Sequence, residues 1–132
     1  MIILEKQEKI MTTIPSADME IYRRTARRNK EAAEKRRRQR VERGWGLAGK
    51  AADLLRKRFH AEKIIVFGSL LRPEYFDERS DVDLAVSGVA DNEFLRAVAA
   101  VTGIDNDISV DLIQIEQAPE SLRRELENGV AV

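Results

Sequence analysis

The period of the hydrophobic residues changes near residue 60, and this change limits the folds that the chain can adopt. Before it, residues 47–60 carry an apolar stripe at three- and four-residue spacings, which predicts a core helix. After it, short β-branched runs predict strands. The three predicted strands cover 63–68, 80–88 and 108–116. One helical pattern, 91–103, separates the last two strands, and another, 118–129, follows them. This order of elements is typical of an α/β (α+β) domain.

The segment from residue 17 to residue 43 contains neither Gly nor Pro and is rich in strong helix formers, so it predicts a long N-terminal helix. Its apolar residues are too few for a core-facing stripe. The sequence GWGLAG follows at 44–49, and its three glycines predict that the helix kinks, thins or ends there. We therefore expect two parts. Residues 1–46 form a long basic helix preceded by a tail or short strand, and residues 47–132 form a domain.

Charge is distributed unequally, although the chain as a whole is neutral. Residues 1–60 carry 17 Lys and Arg against 8 Asp and Glu, whereas residues 61–132 carry 6 against 15. The basic run RRTARRNKEAAEKRRRQR allows three interpretations. It is a solvated helix face, an arm that docks a protein partner or a second subunit in a homo-oligomer, or a contact with nucleic-acid phosphates. Interleaved Glu31 and Glu34 and the lack of stacking aromatics make nucleic acid the less favoured partner.

Several classes of protein are disfavoured by what the sequence lacks. It contains no cysteine, so it forms neither a disulfide framework nor a thiolate metal site. No window approaches the roughly 18 apolar residues of a membrane span. The N-terminal apolar run is also too short for a signal peptide. From these features we expect a soluble, cytoplasmic protein with no membrane partner.

Two aspartates, Asp81 and Asp83, share one face of a predicted strand, because alternate residues of a strand point the same way. Like charges about 7 Å apart on an otherwise apolar run call for a cation. Only six Lys and Arg lie beyond residue 60, and oxygen ligands suit Mg²⁺ or Mn²⁺. Asp111 lies in the next predicted strand. If the two strands are neighbours, three carboxylates converge and could hold two cations about 3.5–4 Å apart, as in phosphoryl displacement.

Gly68 and Ser69 end the first predicted strand and begin a turn. Glycine lets the backbone approach a ligand closely, and the hydroxyl and following amides can bind an anion. Arg72 is placed to reach phosphate oxygens. Structural alternatives stay open at this point. Ser69 could serve as a helix cap, Arg72 as a surface residue and Asp111 as an ordinary ion-pair partner.

The stretch IIVFGSLLRPEYFDERSDVDLAV, with the later VDLI, resembles the nucleotidyltransferase superfamily that includes DNA polymerase β. It resembles the minimal nucleotidyltransferases more closely, many of which are antitoxins of HEPN-family RNase toxins. The shared pattern is Gly-Ser, a spacer, Asp-x-Asp and a third carboxylate one helix later. The resemblance spans residues 63–129. It implies a polymerase β-like fold, a small mixed β-sheet with helices packed on one side, preceded here by the long N-terminal helix.

The resemblance also implies a role for each residue of the pattern. Gly68 and Ser69 hold the triphosphate of an incoming nucleotide. Asp81 and Asp83 ligate two Mg²⁺ ions. Asp111 ligates the catalytic metal and helps to deprotonate the attacking hydroxyl, after which pyrophosphate leaves.

The linker between the two halves of the pattern departs from the family in two respects. The spacer has eleven residues, one more than the commonest form. Arg72 matches the family arginine and would bind nucleotide, but Pro73 replaces the glycine that usually follows.

The resemblance implies a Mg²⁺-dependent nucleotidyltransferase with ATP as substrate. Larger family members hold their acceptor in additional domains, so we expect a separate macromolecule as acceptor here. The leading hypothesis is a protein adenylyltransferase that moves AMP to a tyrosine hydroxyl of a HEPN-type RNase and so acts as its antitoxin. Two alternatives stay open. One is a non-catalytic module that masks a partner through the N-terminal helix, and the other is transfer to RNA or a small molecule.

Overall fold

The computed structural model describes residues 16–132, and the tail or short strand expected over residues 1–15 lies outside the described residues. The helices are α1 (Ser16–Phe59), α2 (Phe94–Thr102) and α3 (Glu120–Glu127). The strands are β1 (Lys63–Phe67), β2 (Val82–Ser87), β3 (Val110–Gln114) and β4 (Val130–Ala131). Short 3-10 turns cover Gly68–Leu71, Pro73–Tyr75 and Ile115–Gln117. The order of helices and strands is the predicted one, with the two-residue β4 as an addition.

Helix α1 continues through residues 44–49, so of the kink, thinning or end expected at GWGLAG, an end is excluded. Gly44 is buried, and a Cβ on it would lie 2.8 Å from Leu70 Cδ1 and 3.2 Å from Phe76 Cζ. The glycine therefore allows the helix to pack closely on the segment after β1. This tertiary packing offsets the cost of about 1 kcal/mol that glycine carries in a helix.

The chain divides into two compact units, the first ending at Arg36 and the second covering Arg37–Val132. In the first unit the described residues are helical, and nearly all of their side chains are exposed. The second unit contains the sheet and its core. The boundary expected at residue 46 stays a prediction. Within residues 16–132, no helix combines the length and the apolar content needed to cross a membrane.

The sheet of the second unit is mixed and has the order β3-β2-β1-β4. β1 runs antiparallel to β2 and β4, whereas β2 and β3 are parallel. Helix α2 lies between β2 and β3 in the chain and provides the crossover that a parallel pair requires. The pairing of β2 with β3 fulfils the condition on which the predicted convergence of carboxylates depends.

Both faces of the central strands are apolar, and each face is covered. The larger core cluster joins one face to α1 and α2, and its fully buried members include Leu55, Val66, Leu84 and Val101. The second cluster covers the other face and consists of Ile65, Phe67, Ala85, Ala118 and Leu126. The fold class is confirmed as α+β with a mixed sheet. The expectation of helices on one side is corrected for α3, because the apolar residues of the second face also require cover.

Candidate active site

The strand register places Asp83 and Asp111 side by side. They are direct partners in the parallel pair β2–β3, and Asp83 lies opposite Phe67 in the antiparallel pair β1–β2. Neighbouring strands lie about 4.8 Å apart, so the two carboxylates leave adjacent positions on the same face of the sheet. Asp81 is exposed and lies just before the first residue of β2. Of the three predicted ligands, two are thus adjacent and the third is two residues away along the chain.

Asp83 is half-buried and surrounded by negative charge. Burial, followed by the charges of Asp111, Asp81 and Glu125, raises the pKa of Asp83 to about 6. A raised pKa means that this environment destabilises the ionised carboxylate. All three of these neighbouring charges are negative, so a cation bound here would relieve the repulsion and restore the ionised form.

Glu125 is a fourth acidic residue of this site, and the sequence reasoning missed it. It lies on α3 between Leu122 and Leu126, both of which belong to the apolar cluster on the Asp83 face of the sheet. The spacing of the two leucines predicted which side of α3 contacts the sheet. It did not predict which face of the sheet α3 covers, and without that face Glu125 could not be assigned to the site.

Gly68 lies against the Asp83 carboxylate. Its φ is +78°, a backbone conformation that favours glycine. A Cβ built on Gly68 would overlap Asp83 Oδ2 and would lie 3.1 Å from Asp83 Cγ. Two separate constraints, conformation and space, therefore require glycine beside the carboxylate, whereas the predicted close approach of this backbone to a ligand stays a prediction.

Ser69 and Arg72 follow Gly68 in the same turn. Ser69 is half-buried, and its carbonyl accepts a hydrogen bond from the Arg72 backbone N–H at 2.9 Å. The Arg72 side chain is exposed. Pro73 begins the next 3-10 turn, where its fixed φ suits the first position. The linker thus folds as two successive turns, and the phosphate-binding roles of Ser69 and Arg72 stay predictions.

The donor set fits a hard divalent cation. Within residues 16–132, no three His, Cys, Asp or Glu side chains already form a group that could hold a metal ion. However, Asp81, Asp83 and Asp111 offer oxygen atoms only, which is the chemistry that Mg²⁺ prefers. Beside them, the Gly68 backbone leaves a space next to the Asp83 carboxylate that the Cβ of any other residue would occupy. Ligation by the three aspartates stays a prediction.

Arg40 of α1 anchors the loop that leads into Asp81. Its Nε donates to the Asp77 carbonyl at 2.7 Å, and its Nη2 donates to the carbonyls of Glu78 at 3.0 Å and Ser80 at 3.4 Å. Its guanidinium also lies over the Phe76 ring, 5.9 Å from the centroid. Only 12% of the Arg40 side chain is exposed. Within the run RRRQR nothing in the sequence distinguished this arginine from its neighbours.

The loop that leads into β3 is tied to the same helix. Asp107 Oδ2 accepts from Arg40 Nη1 at 3.2 Å and from Arg43 Nη1 at 3.0 Å. Asp105 Oδ1 accepts hydrogen bonds from the backbone N–H groups of Ile108 and Asp107, which lower the pKa of its carboxyl. Arg40 therefore connects the two loops that precede the strands carrying the aspartates, and Arg43 contacts the second of these loops.

A mixed sheet that carries adjacent carboxylates beside a glycine turn has the features of a nucleotidyl-transfer domain. Residues 49–132 match the family model described as "Polymerase beta, Nucleotidyltransferase". The chain belongs to this family, which confirms the superfamily resemblance at the general level of nucleotidyl transfer. A solved structure from Sulfolobus solfataricus, provisionally described as a nucleotidyltransferase, is 19% identical with a TM-score of 0.49. That match covers 72% of this chain and 84% of the other. No curated protein shows a significant match to the chain.

Proposed function

We propose that the protein transfers AMP from ATP to a hydroxyl of a partner protein, with Mg²⁺ held by the carboxylates of β2 and β3. The partner in this proposal is a HEPN-type RNase toxin, the acceptor is a tyrosine, and the transfer makes the protein an antitoxin. The observation that carries the proposal is the adjacency of Asp83 and Asp111, with Gly68 against the Asp83 carboxylate. The choice of acceptor rests on the resemblance to the minimal nucleotidyltransferases.

Each residue of the site has a chemical task in this proposal. Mg²⁺ bound by Asp81, Asp83 and Asp111 would neutralise charge on the triphosphate and on the departing pyrophosphate. The Gly68 backbone and the Ser69 hydroxyl bind the phosphates and orient them for in-line attack. Asp111 accepts the proton of the attacking hydroxyl. The oxygen–phosphorus bond to the acceptor forms while the bond between the α-phosphorus and the bridging oxygen breaks, and pyrophosphate leaves with that electron pair.

The direct test is label transfer. The full chain is incubated with Mg²⁺, α-labelled ATP and a purified HEPN-type RNase. We expect label on that protein, and we expect the double variant Asp81→Ala/Asp83→Ala to abolish it. Asp53→Ala is the matched control, because Asp53 is an exposed aspartate of α1 outside the carboxylate cluster. Absence of transfer, or transfer that survives the double variant, would refute the proposal.

A second candidate is a non-catalytic module that masks its partner through the N-terminal helix, and the exposed side chains of residues 16–36 favour it. A growth assay with the toxin separates the two. If the protein acts by AMP transfer, Asp81→Ala/Asp83→Ala should fail to protect cells from the toxin. Masking predicts that the same variant protects cells while deletion of residues 1–36, which leaves the second unit whole, does not.

A further inference from the structure

We propose that residues 23–36 of α1, called the basic segment below, bind the major groove of duplex DNA. The basic segment lies in the first compact unit, and the carboxylate site lies in the second. The proposal does not depend on the chemistry of that site.

The basic segment carries a large excess of positive charge. It contains seven Lys and Arg residues against Glu31 and Glu34. All nine charged side chains are exposed, and the ion pairs found within residues 16–132 involve none of them. Five of the seven basic residues are arginines, whose planar guanidinium suits phosphate oxygens. Three opposite-sign pairs stand four residues apart, Arg27–Glu31, Lys30–Glu34 and Glu31–Lys35, yet the seven basic and two acidic residues leave a net charge of +5 on the segment.

The charges are also unevenly distributed around the helix. Residues that recur at three- and four-residue spacings share one face, and here they are mostly small and uncharged. This face consists of Thr25, Asn29, Ala32, Ala33 and Arg36. With 3.6 residues per turn, basic residues lie on both flanks of it. One flank contains Arg24, Arg28 and Lys35, with Glu31 beside Arg24, and the other contains Arg23 and Lys30, with Glu34 beside Arg23.

This arrangement is complementary to the major groove. The groove is about 12 Å wide and admits a single α-helix. Small side chains let the helix approach the base edges, where methyl groups such as those of Ala32 and Ala33 can contact thymine and Asn29 can bind adenine through both amide atoms. The two basic flanks then face the phosphates on the two walls of the groove. This face of mostly small side chains would thus read bases while the flanks supply affinity.

Single-stranded nucleic acid, duplex RNA and a protein groove fit these observations less well than duplex DNA does. Proteins that bind single strands stack bases on aromatic side chains, and the basic segment has none. The major groove of A-form RNA is too narrow for side chains to read. A helix that docks in a protein groove needs large apolar anchors at helical spacing, whereas the only apolar residues between 23 and 36 are alanines. Duplex DNA is therefore the favoured ligand.

The test is fluorescence anisotropy of the full chain with a labelled DNA duplex two turns long, titrated between about 50 and about 200 mM KCl. With about five phosphate contacts, the slope of log K against log salt should be about −4 to −5. The variant Arg24→Gln/Arg28→Gln/Lys35→Gln should reduce the magnitude of that slope by about 3. On the other flank, Arg23→Gln/Lys30→Gln should reduce it by about 2.

Two controls are needed. The first distinguishes the basic segment from the net charge of the protein, and the second distinguishes DNA binding from nucleotidyl transfer. Lys50→Gln/Lys57→Gln/Arg96→Gln removes the same charge from exposed positions outside the basic segment, and it should bind DNA like the wild type. Asp81→Asn/Asp83→Asn should also leave DNA binding unchanged, so loss of nucleotidyl transfer and loss of DNA binding are distinguishable.

Four results would overturn the proposal. The first is no binding at the lowest salt, and the second is a flank variant that binds like the control. The third is equal or tighter binding of an RNA duplex of the same sequence. The fourth is displacement of DNA by poly-glutamate at equal charge, which would point to an acidic protein as the partner.

Discussion

Replacing Arg40 by Met should destabilise the second unit and weaken the carboxylate site at the same time. Methionine keeps an apolar stem over the Phe76 ring but removes every hydrogen bond of the guanidinium. Two of those bonds are short, 2.7 Å to the Asp77 carbonyl and 3.0 Å to the Glu78 carbonyl, while the third, to Ser80, is 3.4 Å. The ion pair with Asp107 contributes less, because the Asp107 side chain is 58% exposed and Arg43 still binds it.

The size of the effect follows from the number of bonds. A hydrogen bond from a charged donor contributes about 1.5–3 kcal/mol when its partner is shielded from water. The carbonyls here are near the surface and regain water, so we expect a total loss of about 2–3 kcal/mol for Arg40→Met. Arg40→Lys keeps the charge but not the planar fork, and it should recover only part of this loss. Urea denaturation measures both values.

The second readout is specific to the site. The loop held by Arg40 leads directly into Asp81, so its release should weaken Mg²⁺ binding by about tenfold, as loss of an outer-shell partner typically does. The Mg²⁺-dependent rise in Tm reports this affinity. Arg38→Met is the matched control, because Arg38 is an exposed arginine of the same helix, and it should change stability by less than about 0.5 kcal/mol. The reasoning fails if Arg40→Met matches this control in both measurements.

Three further predictions concern single positions. In the absence of divalent metal, the raised pKa of Asp83 should make the free energy of unfolding fall as pH rises from about 4 to about 6, because the native state keeps the Asp83 proton to a higher pH than the unfolded state does. Asp83 is partly exposed, so we expect a change of only about 1–2 kcal/mol. Urea titrations at each pH would measure it, and it should vanish in Asp83→Asn. Gly68→Ala should cost about 1–3 kcal/mol because of its φ of +78° and the overlap with Asp83, and a melting curve that matches the wild type would contradict the close approach. Gly44→Ala should lower the free energy of unfolding by about 1–2 kcal/mol, because the new methyl group would press on Leu70. Gly46→Ala should raise it by about 0.5–1 kcal/mol, because a Cβ there meets no atom within 4 Å and alanine favours the helix. Equal effects of the two variants would refute the packing role of Gly44.

The sequence predicted those features that depend on local pattern. The change in hydrophobic period identified the order of helices and strands, and the alternation around Val82 and Leu84 assigned their neighbours Asp81 and Asp83 to one face. The sequence left the pairing of the two aspartate-bearing strands as a condition, and the structure shows that β2 and β3 are adjacent. The placement of Gly68 beside the carboxylates follows from the same strand order.

The features that the sequence did not predict depend on contacts between distant segments. Glycines normally weaken a helix, but Gly44 is helical because Leu70 and Phe76 pack against it from 26 and 32 residues away. Arg40 and its neighbours look alike in a basic run, and only the carbonyls of the loop distinguish it. The position of Glu125 depends on which face of the sheet α3 covers. No local period carries that information.

The most direct test of the central claim is calorimetric titration of Mg²⁺ into the protein in the presence of a non-hydrolysable ATP analogue. The claim is that Asp83, adjacent to Asp111 and Gly68, forms a site for a divalent cation and a triphosphate. We predict saturable binding to the wild type that Asp83→Asn weakens at least tenfold, while the Asp53→Asn control binds normally. Equal binding by wild type and Asp83→Asn, or no binding to the wild type, would contradict the claim.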